Sequence, residues 1–214
     1  MELELQNGVK EMEWIQSRAP FAKLHMVASN HPEFLTEYID KMRWVKDDIN
    51  LEFGSHMFNE MVQSIKKKNP KKVEAITTDP VILYFRKHLP FVNTLERTDK
   101  LFLGNSTILC SCHGDIGPRG APTRSLKEFL KYNCPVILGH NHTGTIFGPI
   151  WRVGTSTPRM QFYVTTPDTQ WSNTHCVIFN NGQRMLINII KQKWHGFKQS
   201  ISNDNSSNLE SLVA

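Results

Sequence analysis

The stretch Val136-Ile137-Leu138-Gly139-His140-Asn141-His142, residues 136–142, is an apolar run that stops at a glycine and delivers two imidazoles one residue apart. A short apolar run bounded by turn residues reads as a buried strand. Gly139 is the expected bend, because glycine accepts the tight backbone that turns both rings toward one point. Paired imidazoles at such a place suit a transition-metal or zinc-like ion. A pair alone is weak, and a satisfied surface pair is its more common explanation, so the rest of the chain has to decide.

Two other apolar stretches end the same way. AKLHMVAS, 22–29, runs into Asn30-His31, and STILCSC, 106–112, runs into His113-Gly114-Asp115. Three strands, each delivering a histidine at its carboxyl end, point to one site, since open α/β sheets bind ligands at the carboxyl ends of their strands. Around them, VKEMEWIQS (9–17), PEFLTEYIDKMRW (32–44) and residues 51–67 have helical spacing, the last through Phe53, Met57, Phe58, Met61, Val62 and Ile65. VILYFRK, 81–87, fits helix or strand. LFLGNSTILCSC, 101–112, reads as two strands about a Gly104-Asn105 turn, and HGDIGPRGAPTRS, 113–125, as loop. Ser125 and Glu128 form a capping box for a helix over 125–132. PIWRVGT, MQFYVTT, THCVIFN and QRMLINII read as strands, the last two joined by an Asn180-Asn181-Gly182 hairpin turn. The order predicts an α/β sandwich flanked by helices, antiparallel in its C-terminal part, over 1–198, with a polar tail over 199–214.

Composition narrows the partners. The chain has 214 residues, 39% hydrophobic and 21% charged, which suits a soluble globular domain. Its net charge of +5 favours an acidic partner such as nucleic acid, and equally describes a merely soluble surface. The first residues, MELELQNGVKEMEW, are charged and carry no apolar segment, and no run approaches the roughly 20 residues that span a bilayer. A cytoplasmic chain with reduced thiols at Cys110, Cys112, Cys134 and Cys176 is expected, with no membrane partner. The basic run KKKNPKK, 66–72, reads as a solvated loop rather than a phosphate contact. Cys110-Ser-Cys112-His113 lacks the second short-spaced pair that a structural zinc site needs.

Strand-Asn-His, then strand-His-Gly, then strand-Gly-His-x-His resembles the C-terminal half of the calcineurin-like metallophosphoesterases, over about residues 22–195. The stretches SNHPEFLTEYI, HGDIGPRGA, ILGHNHTGTIFGPIWRVGTST and WSNTHCVIFNNGQRMLINIIKQKW are similar to the large phosphoesterases of tailed bacteriophages. The resemblance implies a metallophosphoesterase-like β-sandwich in which two metal ions, about 3.5–4 Å apart, clamp a phosphate ester for in-line hydrolysis. It implies that Asn30, His113 and His140 ligate the second metal, that Asn30 also helps bind phosphate, and that His142 reaches the first metal. His31 would serve as the acid at the leaving group. The metal expected is manganese before zinc, iron or magnesium. Nucleic acid, DNA above all, is the expected substrate, the compartment being the host cytoplasm for a phage protein.

The chain also departs from that family. The family's two earlier motifs, Asp-x-His and Gly-Asp-x-x-Asp, supply most ligands of the first metal and the bridging carboxylate. The 29 residues before Asn30 contain no Asp, and His25 is their only histidine. The fold is therefore expected to be N-terminally truncated, with a single remaining metal site. Such a chain is expected to pair with a second copy, to pair with a separate N-terminal polypeptide or to rearrange, because missing central strands leave exposed sheet edges or faces. Pro32 stands where the family has a carboxylate, and it offers no acceptor to orient His31. A catalytically inactive descendant that binds, regulates or oligomerises is the rival reading. Arg119 and Arg124 are candidate substrate-phosphate contacts, with a solvent-facing role as the alternative, and Asp115 reads as a loop cap. His25, His56, His88, His175 and His195 read as structural, and Trp151, Phe162, Tyr163 and Trp171 as core.

Overall fold

The computed structural model describes residues 2–30, 33–68, 79–157, 171–190 and 193–196. The first helix, α1 (Glu2–Arg18), is longer than the 9–17 segment its apolar spacing marks. Glu2 and Glu4 at its start and Arg18 at its end suit the helix dipole. None of its residues is fully buried, but Leu5, Val9 and Met12 lie against apolar clusters beneath it. β1 (Leu24–Val27) follows, then α2 (Glu33–Asp40), a 3₁₀ turn (Arg43–Lys46) and α3 (Leu51–Lys68). Leu35 and Ile39 of α2 meet Phe53, Met57 and Met61 of α3 in one cluster. Phe34, an apolar residue of the same helix, is 84% exposed.

The ambiguous VILYFRK segment is helix, α4 (Pro80–His88). Asp79 decides it: its carboxylate accepts the Val81 and Ile82 N–H groups, and Pro80 follows at the first turn. Burial raises the Asp79 pKa, against those two hydrogen bonds. α4 leads to β2 (Val92–Leu95), which pairs parallel with β1, Leu24 opposite Val92. Phe85, Leu89 and Val92 pack with Leu24 and Met26, which seats the helices on this two-stranded sheet.

β3 (Phe102–Leu103), β4 (Ile108–Leu109), β5 (Val136–Leu138), β6 (Thr145–Phe147) and β7 (Ile150–Arg152) form a second sheet in the order β3-β4-β5-β7-β6. β4, β5 and β7 run parallel; β3 and β6 are antiparallel edges. The Gly104-Asn105 turn is present, with Gly104, Asn105 and Ser106 all at positive φ. Leu109, Val136, Leu138 and Ile150 pack on Phe129. Phe129 lies on the segment expected to be an α-helix, which is a 3₁₀ helix, Leu126–Tyr132. The Ser125 side chain makes no capping hydrogen bond, and Glu128 is taken by Lys131, so the capping box does not form.

β8 (Thr174–Ile178), β9 (Arg184–Ile190) and β10 (Lys193–Gly196) make a third, antiparallel sheet. Gly182, at φ 83°, closes the expected β8–β9 hairpin. Arg184 joins this sheet to the second one: its guanidinium lies 4.3 Å from the Trp151 ring centroid and donates to the Pro149 carbonyl at 2.8 Å. The chain is thus a mixed α/β protein with several sheets. MQFYVTT, residues 69–72 of the basic run, Phe162, Tyr163 and the 199–214 tail lie outside the described residues. Among the described residues no helix is long and apolar enough to cross a membrane.

Candidate metal centre

β1, β4 and β5 bring their carboxyl ends to one place. Beyond β1, Ala28 N–H donates to the Leu95 carbonyl, and the chain reaches Asn30. Beyond β4, the His113 carbonyl accepts from Gly139 N–H at 2.8 Å, which binds the second histidine strand to the third. Asn30 Oδ1 lies 2.9 Å from His113 Nε2, and His140 Nδ1 lies 3.3 Å from the same nitrogen. The two rings stand edge to face, 74° apart. His31 lies outside the described residues.

Those contacts are awkward as hydrogen bonds alone. As a donor, His113 Nε2 has one hydrogen to divide between an oxygen and a nitrogen. As an acceptor, it takes the His140 N–H and turns its lone pair on the Asn30 oxygen. A shared ion would also account for both contacts. Two donors about 2.1 Å from one ion lie about 3.0 Å apart at a right angle and about 3.4 Å apart at the tetrahedral angle. The observed 2.9 and 3.3 Å fall close to these edges. One amide oxygen and two imidazoles are a donor set that suits manganese, iron or zinc.

The bend falls elsewhere than the sequence placed it. Gly139 is absent from the positive-φ residues, while His140 (φ 71°) and His142 (φ 58°) are among them. Each left-handed non-glycine residue costs about 1–2 kcal/mol, and such strain gathers at functional sites. The loop is held from outside. Ser172 N–H donates to the His142 carbonyl at 2.9 Å, and Ser172 Oγ accepts from Gly144 N–H at 2.8 Å. A Cβ at Gly144 would press on Thr174 at 2.8 Å. The His142 ring packs edge-on against Trp171, centroids 4.3 Å apart. His142 is thus placed on Trp171, while Asn30, His113 and His140 are placed together. Among the described residues no three His, Cys, Asp or Glu side chains cluster as a metal group.

Arg97 was not singled out by the sequence, and it braces the site. Beyond β2, its Nη1 holds both Asp115 oxygens at 2.8 and 2.7 Å, and its Nη2 lies 3.4 Å from Glu33 Oε1. It therefore ties the loop after His113 to the helix after Asn30. Burial pushes the Asp115 carboxyl up, but the Arg97 hydrogen bonds and charge outweigh it and hold it below its ordinary value. A carboxyl depressed in the folded state stabilises the fold above its unfolded pKa of about 3.9 and loses that contribution as pH falls through the folded value. Arg97→Ala is expected to cost about 1–2 kcal/mol at pH 7. It should also flatten the stability loss as pH falls below about 4, as read by urea unfolding at stepped pH. An unchanged acid limb would remove the brace from the account.

Arg119 and Arg124, the candidate phosphate contacts, are both exposed on the 113–125 loop. The Arg124 carbonyl accepts from Arg152 Nη2 at 3.3 Å. The four cysteines are free thiols. Burial raises the Cys110 pKa to about 12 and raises those of Cys112 and Cys176, which keeps them protonated near neutrality. His25 contacts Asn93, His56 contacts Lys87, and His88 stacks on Tyr84.

No family model matches the chain, and no solved structure matches it. The chain is similar to Protein A1 of Escherichia phage T5, 26% identical over 178 residues, covering 81% of this chain. That match spans only 30% of the length of the phage protein.

Proposed function

We propose that this chain carries one metal site of a phosphoesterase and acts on phosphodiesters, with DNA as the substrate. The supporting observation is the convergence of Asn30 Oδ1, His113 Nε2 and His140 Nδ1 at the ends of three strands. These three residues hold a divalent ion, manganese before zinc, iron or magnesium. When bound, the ion supplies Lewis-acid polarisation of a phosphoryl oxygen. Asn30 orients the phosphate, and His31 gives a proton to the leaving oxygen. The packing of the third sheet on the second, through Arg184 and Trp151, supports a sandwich of the metallophosphoesterase kind. The phage relative supports a phage setting, and so the host cytoplasm. A second copy of the chain or a separate polypeptide completes the first metal site, which His142 adjoins.

A second reading is a catalytically silent relative that works by binding or oligomerising. It is favoured by Asp115, a carboxylate two residues after His113, both of whose oxygens are held by Arg97 Nη1. Manganese titration of the chelator-stripped protein, followed by a manganese-dependent DNA cleavage assay, separates the two. About one ion bound and DNA cut supports the enzyme. An ion bound without cleavage supports the silent relative. No binding of manganese or zinc sinks the metal site.

A further inference from the structure

β7 runs parallel to β4 and β5, and its last residue is Arg152, opposite Leu138. Arg152 is 7% exposed. A guanidinium this buried is ordinarily paired, because taking a charge out of water is costly. Arg97 makes the contrast: its side chain is 30% exposed and it has two carboxylate partners. Arg152 has none among the described residues; its hydrogen bond goes to the Arg124 carbonyl. Among the described residues the only fully buried side-chain nitrogen or oxygen without a partner is Trp44 Nε1, so no Arg152 nitrogen is both sealed from water and unpartnered. Burial lowers the pKa of the group, as expected where its charge is not offset.

The position adds a direction. The 113–125 loop begins at His113, in the metal pocket, and ends over Arg152, with the exposed cations Arg119 and Arg124 along it. Leu138, the cross-strand neighbour of Arg152, precedes His140 by two residues. We propose that Arg152 is the base of an anion subsite, at the end of β7 beneath the 113–125 loop, that receives a phosphate group. A planar fork suits two phosphate oxygens better than a point charge does. The subsite rests on the phosphoesterase reading for the identity of its anion, while its existence does not depend on a metal.

The test is thermal unfolding of the full chain with chelator present, titrated with inorganic phosphate against chloride at equal ionic strength. Wild type is expected to gain several degrees with a saturable dependence on phosphate, since a ligand of the native state alone stabilises it. Arg152→Met should lose the response. Without phosphate it should melt at or above wild type, because a buried charge without a counterion has been removed. Arg152→Lys should keep a weakened response. A wild type indifferent to phosphate, or an Arg152→Met variant that responds like wild type, overturns the proposal. If Arg152→Met does not fold, the wild-type and Arg152→Lys titrations decide. Failure of the metal titration leaves this result standing, and the reverse also holds.

Discussion

His140→Ala and His140→Gly are expected to lose the metal equally and to differ in stability. Both remove Nδ1, which lies 3.3 Å from His113 Nε2, so the proposed metal pocket would lose one of its three donors. The loss in affinity should exceed the roughly 10–100-fold that removing a mere supporting partner costs. The backbone separates the two variants. At φ 71° alanine keeps the left-handed penalty and glycine does not. His140→Gly should therefore be about 1 kcal/mol more stable than His140→Ala. Isothermal titration with manganese reads the first effect, and urea unfolding reads the second. A variant of either kind that binds like wild type would exclude His140 as a ligand. Equal stabilities would mean the loop relaxes when the ring is gone.

Gly154→Ala is the substitution expected to damage the fold most. Gly154 follows β7 and donates its N–H to the Thr174 carbonyl at 3.1 Å. A Cβ there would overlap the Ser172 carbonyl oxygen, which belongs to the backbone and cannot rotate aside. Ser172 is also the residue that grips the His142 carbonyl and Gly144. The strain therefore falls on the loop that presents His140. The expected cost is about 3 kcal/mol, the upper end for overpacking. In a chain of this size that lowers the melting temperature by about 6–12 °C. Calorimetry checks it, and weaker metal binding should accompany it. A melting temperature within a degree of wild type would show that Ser172 yields.

The site was more legible than the fold around it. Each of the three histidine strands announced itself by an apolar run ending in polar residues, and β1, β4 and β5 lie there. β2 was missed because VNTL is four residues with no alternation, and its partner lies far off in sequence. Arg97 was missed for the same reason: Asp115 and Glu33, which give it meaning, are distant along the chain. The bend was misplaced because glycine is the usual bearer of positive φ, and nothing local shows that His140 and His142 take it instead or that Ser172 holds the His142 carbonyl. The capping box at Ser125 failed because Glu128 has a nearer cation in Lys131. Local signals therefore located the three strand ends, whereas long-range partners determined the conformation of the residues just beyond them.

The separations that join Asn30 to His113, 83 residues, and His113 to His140, 27 residues, also bear on the order of folding. Closing loops of that length is entropically costly, and long-range contacts tend to form late. The Asn30–His113 contact needs β1 already beside β2 and β4 already beside β5. The unfolded chain keeps only the local His140/His142 pair. An ion in the proposed pocket would then bind the finished structure and little before it. At 100 times its dissociation constant it adds about 2.7 kcal/mol to native stability. Contacts absent from the transition state act on the unfolding rate. The metal would then be a latch set after folding, one that lengthens the life of the native chain without hastening its arrival.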